Sequence, residues 1–106
     1  MDFTEIKIKS IAYAQVLLKN KIHPDVLILF GSHAKKTNKK ESDVDIALVS
    51  RDFGKNPIKE GAKANRLLWD VFPEAEVVTI SLDDYMSHQT ESPILSEVLK
   101  TGIVIL

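Results

Sequence analysis

Two aspartates, Asp43 and Asp45, stand two residues apart in the run DVDIALV. In a strand, alternate side chains share a face, so both carboxylates would project from one side, about 6.5–7 Å apart along the chain. Two like charges on one face repel and lose hydration unless something cationic lies between them. A hard divalent cation meets that need. Mg²⁺ prefers oxygen ligands, keeps several waters, and takes one or two carboxylates together with substrate phosphates. Two such ions about 3.5–4 Å apart can activate an attacking oxygen and stabilise a leaving one.

Gly31 and Ser32 lie upstream, after the apolar run VLILF. A glycine where the backbone leaves a strand lets amide groups approach a phosphate closely. The Ser32 hydroxyl is a further donor, and a helix beginning near it would offer free N–H groups to an anion. His33, Lys35, Lys36, Lys39 and Lys40 add positive charge. A triphosphate with bound metal ions asks for both kinds of charge at once. The lysines read mainly as a solvated loop, with one or two touching phosphate. Glu41 beside them softens the patch, which argues against direct nucleic-acid binding.

The elements that must hold these residues follow from periodicity. Residues 4–20 are predicted helical, with Thr4 as cap and Ile8, Ile11, Leu18 and Ile22 along one stripe interrupted by Gln15. His23-Pro24 stops this helix. Val26 to Phe30 is a continuous apolar run, the pattern of a strand covered on both faces. Residues 32–40 read as a short helix or a loop. Val44, Ile46 and Leu48 alternate with Asp43, Asp45, Ala47 and Val49, giving a second strand. Asp52 to Pro57 is turn-rich. Ala64, Leu67, Leu68 and Val71 set a helix over about 59–71, ended by Phe72-Pro73. Glu76 to Leu82 is a third strand. Ser92-Pro93 caps a last helix with a stripe of Ile94, Leu95, Val98 and Leu99, Gly102 stops it, and Ile103 to Leu106 is strand-like. The alternation predicts an α/β domain with helices on a central sheet.

Composition narrows the class. The 106 residues make one domain, 1–106. With 14 Lys and Arg against 15 Asp and Glu, the net charge is −1, so no global field draws the chain to nucleic acid or anionic membrane. There are no cysteines, which excludes disulfides, thiolate metal sites and a cysteine nucleophile. No signal-peptide pattern and no membrane-length apolar run occurs, so a cytoplasmic location is expected.

The full pattern is more specific than its parts. Gly31-Ser32, ten residues, then Asp43-Val44-Asp45 resembles the signature of the minimal nucleotidyltransferase (MNT) family, within the DNA polymerase beta-like nucleotidyltransferase superfamily. Ala34 and Ser42 also stand where that family usually has Ala and Ser. The resemblance spans nearly the whole chain, down to the ending SPILSEVLKTGIVIL. It implies a small two-layer α/β sandwich around a mixed central sheet with packed helices, the nucleotidyltransferase fold. It also implies Mg²⁺-dependent transfer of a nucleoside monophosphate from an NTP, such as ATP, to an acceptor. By the same resemblance Asp43, Asp45 and a third carboxylate on a later strand bind the metal ions. In EAEVVTIS that carboxylate is Glu76, where aspartate is usual, with Glu74 of the same parity as the alternative. Gly31, Ser32, His33, Lys35 and Ser42 fall at the nucleotide-binding positions. His33 replaces the family's frequent arginine, and Lys36 its frequent glycine.

Length bears on the acceptor. Larger relatives carry a helical domain that walls the base and acceptor, so walls must here come from another chain, as a hetero- or homo-oligomer, or the site is open. Chains of this length resemble the antitoxin half of HEPN/MNT toxin–antitoxin pairs, which implies AMP transfer to a tyrosine of a helical HEPN toxin. The other expectations are a module that neutralises its partner by binding alone, and transfer to a small hydroxylated molecule. Among the remaining residues, His88 near Asp83 and Asp84 reads as a surface loop rather than a metal site. Trp69 reads as a core or partner contact rather than a base-stacking group, and Tyr13 and Tyr85 support no assignment.

Overall fold

The computed structural model describes residues 1–31, 44–87 and 92–106. The predicted short helix or loop after Gly31, together with Asp43 and His88, lies outside them. Eight elements follow in order: α1 (Phe3–Lys19), β1 (Val26–Phe30), β2 (Val44–Ser50), α2 (Pro57–Leu68), β3 (Ala75–Ser81), α3 (Leu82–Ser87), α4 (Pro93–Thr101) and β4 (Ile103–Val104).

The strands form one mixed sheet in the order β3-β2-β1-β4. β1 is antiparallel to both β2 and β4, and β2 is parallel to β3. The two central strands are nearly all buried, as continuous apolar runs require. On one face Ile6, Tyr13 and Leu17 of α1 and Ala64 and Leu68 of α2 pack over Leu27, Leu29, Val44, Ile46 and Leu48. Tyr13 is fully buried, and its hydroxyl donates to the Ala64 carbonyl at 2.8 Å, tying α1 to α2. Burial pushes its ionisation well above the ordinary tyrosine range. The opposite face, built from Ile28, Phe30, Ala47, Val49 and Ile80, is covered by Leu95 and Val98 of α4, with Leu82 and Tyr85 at its margin. The expected helix-on-sheet layering therefore holds on the α1–α2 side, and α3 and α4 add a partial layer on the other.

Several local expectations are corrected. Asp2, not Thr4, caps α1, its carboxylate accepting from the Glu5 N–H at 2.9 Å. The buried stripe of α1 is Ile6, Ser10, Tyr13 and Leu17, while Ile8, Ile11 and Leu18 are exposed. Helix α2 begins at Pro57 behind Asn56, whose side chain accepts from Lys59 N, and ends at Leu68. It stops short of Val71 because the chain tightens there, with Val71 and Phe72 both donating to the Leu68 carbonyl. Asp83 and Asp84 lie in α3, not in a loop, and the Ser81 hydroxyl accepts from Asp84 N at 3.1 Å. In α4, Leu95 and Val98 are buried and Ile94 is exposed. Ser92 caps this helix as expected, accepting from Leu95 N.

Candidate active site

The sheet register brings together residues far apart in sequence. Asp45 is the β2 partner of Phe30 on one side and of Glu76 on the other. Neighbours in register share a face. Asp45 has the parity of Ala47 and Val49, and Glu76 that of Val78 and Ile80, so both carboxylates issue on the α3–α4 side of the sheet. Two acidic side chains thus stand side by side on adjacent parallel strands, Glu76 exposed and Asp45 half-buried.

Gly31 closes the other flank. It follows β1 directly and takes φ +75, a conformation that side chains with a Cβ rarely adopt. A Cβ on residue 31 would also stand 2.5 Å from Asp45 Oδ2. Glycine is therefore required by its own backbone, and a Cβ there would in addition push the Asp45 carboxylate aside. Gly31, Asp45 and Glu76 are brought to one end of the sheet. Ser32, His33, Lys35, Ser42 and Asp43 lie outside the described residues.

The two glutamates of EAEVVTIS are placed differently. Glu74 precedes β3, and its backbone carbonyl accepts from Val44 N at 3.1 Å. Its side chain turns to α1, where Lys9 Nζ donates to Oε2 at 2.7 Å. That hydrogen bond holds the Glu74 carboxyl below the usual glutamate range. Glu76, in register with Asp45, is the glutamate at the Gly31 end of the sheet.

Asp45 and Glu76 line a cleft of about 410 Å³ that reaches around the edge of β3 to Asn65, Trp69 and Pro73. Asn65 fixes one wall. Its amide donates to the Val77 carbonyl at 2.9 Å and its carbonyl oxygen accepts from Val77 N at 3.1 Å, replacing a missing neighbour strand at that point. Sequence reasoning did not single out Asn65, since nothing local marks a polar helix residue as an edge cap. A smaller cleft of about 230 Å³ lies at the far end of β3, near Phe53, Glu60 and Ser81. Burial alone would raise Glu60, but the N–H groups of Gly54, Asn56 and Lys55 outweigh it and hold its carboxyl below the usual range. Glu60 is thereby occupied in ordering the turn before α2.

Hard oxygen donors on adjacent strands, beside a backbone without a side chain, fit a Mg²⁺ ion with its phosphate ligands. Among the described residues no group of three or more His, Cys, Asp or Glu is assembled for a metal. Asp43, two residues before Asp45 in sequence, lies outside them.

Residues 13–106 match the family described as polymerase beta, nucleotidyltransferase. The chain belongs to this family. Its fold is similar to that of a chain in the crystal structure of a toxin–antitoxin with AMP-PNP, at 23% identity and TM-score 0.61, covering 94% of this chain and 72% of that one. It is similar also to a chain in the structure of the tri-AMPylated Shewanella oneidensis HEPN toxin in complex with MNT antitoxin, at 20% identity and TM-score 0.55, covering 93% and 70%. No curated protein matches the chain. Among the described residues no helix is long and apolar enough to cross a membrane.

Proposed function

We propose that this nucleotidyltransferase-family chain transfers AMP from ATP to a hydroxyl of a partner protein, and that the partner is a HEPN-type toxin which the chain serves as antitoxin. The observation that carries the reading is the juxtaposition of Gly31, Asp45 and Glu76, three residues remote in sequence, at one end of the sheet. The similarity to chains of toxin–antitoxin complexes, one with AMP-PNP and one with an AMPylated toxin, supports the choice of nucleotide and partner.

In this reading Gly31 and Ser32 hold the β- and γ-phosphates through backbone N–H groups and a hydroxyl, with His33, Lys35 and Ser42 around them. Asp43, Asp45 and Glu76 hold Mg²⁺, which when bound supplies charge neutralisation for the phosphates and the departing oxygen. The acceptor oxygen attacks the α-phosphorus, the bond from that phosphorus to the bridging oxygen breaks, and pyrophosphate leaves. The proton of the acceptor hydroxyl passes to a carboxylate or to water. Such a transfer needs positioning and electrostatic complementarity more than covalent chemistry by the protein.

The test is incorporation of labelled AMP from ATP into a HEPN protein, sought first in the reading frame beside this chain's own. Wild type should label it, and Asp43→Ala/Asp45→Ala and Glu76→Gln should each lower the rate by more than about 100-fold while keeping the fold. If wild type labels nothing with ATP and Mg²⁺ yet still blocks the toxin, the chain acts by binding alone. His33, Lys36 and Glu76, at family positions usually held by other residues, are the features that favour that second outcome.

A further inference from the structure

Trp69 is the one tryptophan of the chain, and it is 66% exposed. It caps the C-terminal end of α2. The residues around it are anchored: Leu68 and Phe72 are fully buried, and Phe72 N donates to the Leu68 carbonyl at 2.8 Å. One residue on from Leu68 turns about 100° around a helix, so packing Leu68 inward aims the indole outward. Asn65 lies one turn earlier on the same side of α2 and is bonded twice to Val77, the neighbour of Glu76. The indole is thus carried on a rigid support joined to the strand that bears Glu76, and it lines the same cleft as Asp45 and Glu76.

A large aromatic left exposed beside a cleft fits a binding anchor, because an indole offers a large contact area for only two rotatable side-chain bonds. Aromatic anchors carry much of the energy of protein interfaces. The cleft sets what that partner must be. One side is acidic, at Asp45 and Glu76, and the other is lined by Trp69 and Pro73. A protein segment can lay an apolar or aromatic side chain on Trp69 while its hydroxyl reaches the carboxylate end. We infer that Trp69 is the docking residue for the acceptor segment of the partner protein, setting which hydroxyl reaches the site rather than holding the nucleotide. This rests on the transfer reaction proposed above.

The experiment combines kinetics with a single spectroscopic probe. The chain is labelled with 5-fluorotryptophan, so one ¹⁹F resonance reports Trp69, and the HEPN protein that accepts AMP in the test above is added unlabelled. The resonance should move or broaden with the HEPN protein and stay in place with ATP and Mg²⁺ alone. Trp69→Ala should raise KM for the HEPN protein by about 10- to 100-fold, with kcat and the Kd for ATP within about threefold of wild type. Trp69→Phe should recover part of that loss. A Trp69→Ala chain whose Kd for ATP rises instead would make Trp69 a base-stacking residue and overturn the inference. So would an unchanged KM, or a resonance indifferent to the HEPN protein, in a wild-type chain that transfers AMP. A wild-type chain that transfers nothing would overturn the reaction itself. The ¹⁹F measurement uses the wild-type sequence, so it decides even if a variant fails to fold.

Discussion

At the end of the sheet where β1 begins and β2 stops, two carboxylates are fully engaged. Asp25 accepts from Arg51 through Nη2 at 2.5 Å, Nε at 3.1 Å and the backbone N–H at 2.7 Å. Asp52 accepts from His23 N at 2.8 Å and lies 2.9 Å from its ring Nδ1. The Arg51 side chain beside Asp25, and the backbone N–H and ring of His23 beside Asp52, hold both carboxyls below the usual range. At the opposite end Asp45 and Glu76 stand in register on neighbouring strands, with the Asp45 carboxylate over Gly31. Donors from Arg51 and His23 favour the charged carboxylates at the far end, and like charges side by side at the other end repel. The same sheet therefore uses acidic residues in two ways: to lock its far end, and to hold negative charge at the end proposed for chemistry. Each end can be perturbed separately.

The largest effect is expected from Gly31→Ala. The new Cβ would lie 2.5 Å from Asp45 Oδ2, and the backbone at φ +75 would be strained in addition. Stability should fall by about 1–3 kcal/mol, read as a lower urea midpoint. Displacing Asp45 by an ångström should cut AMP transfer by about 100-fold or more. Placing the same change in an Asp45→Ala background isolates the contact. The clash is then gone and only the backbone strain remains, so the stability loss should shrink. Equal losses in the two backgrounds would mean that the Asp45 carboxylate is not packed on Gly31.

Asp25→Asn tests the far end and should move stability alone, lowering the thermal midpoint by a few degrees at pH 7 with AMP transfer unchanged. The sign of its pH dependence follows from the depressed folded-state pKa. The stabilisation from Asp25 is present above the unfolded carboxylate pKa, about 3.9, and is lost as pH falls through the lower folded value. Wild type and Asp25→Asn should therefore differ most near neutrality and converge in acid. A difference that widened below about pH 4 would contradict the role given to the Arg51 pair.

Much of this was legible in the chain. Strands β1 and β2 are apolar runs bounded by polar residues, and a central strand has to look that way. Ser92-Pro93 and Asn56-Pro57 place their helix starts by local hydrogen bonding, and the second helix begins at Pro57, ahead of the start at about 59 that its apolar stripe predicts. Gly31 was legible because only a glycine suits the turn it makes. The orientation of α1 was not. Ile8, Ile11 and Leu18 look like a core stripe, but the sheet instead receives Ile6, Ser10, Tyr13 and Leu17. Tyr13 decides this through a bond to Ala64, 51 residues away, which no local pattern reports. Helix α3 carries a local signal of its own: Ser81 followed three residues later by Asp84 is a capping pattern, masked by the β-branched run before it. The pairing of Asp45 with Glu76 depends on the parallel register of β2 and β3, and the choice between Glu74 and Glu76 was open for the same reason.

That choice supplies the smallest and most local test. Glu74 and Glu76 share strand parity, yet β3 begins only at Ala75, so the alternation does not extend back to Glu74. Its side chain instead meets Lys9, which also lies 5.6 Å from the centre of the Phe72 ring. The Lys9 and Glu74 side chains are 31% and 46% exposed, so solvent screens the pair. Glu74→Gln should cost no more than a few tenths of a kcal/mol, a difference present above the unfolded carboxyl pKa, about 4.3, and lost as pH falls through the lower folded value. AMP transfer by Glu74→Gln should match wild type, whereas Glu76→Gln should lose it with little change in stability. The reverse pattern would move the third carboxylate to Glu74. It would also require the Lys9 contact to break when nucleotide binds, which a Lys9→Met variant would then reveal as a faster reaction.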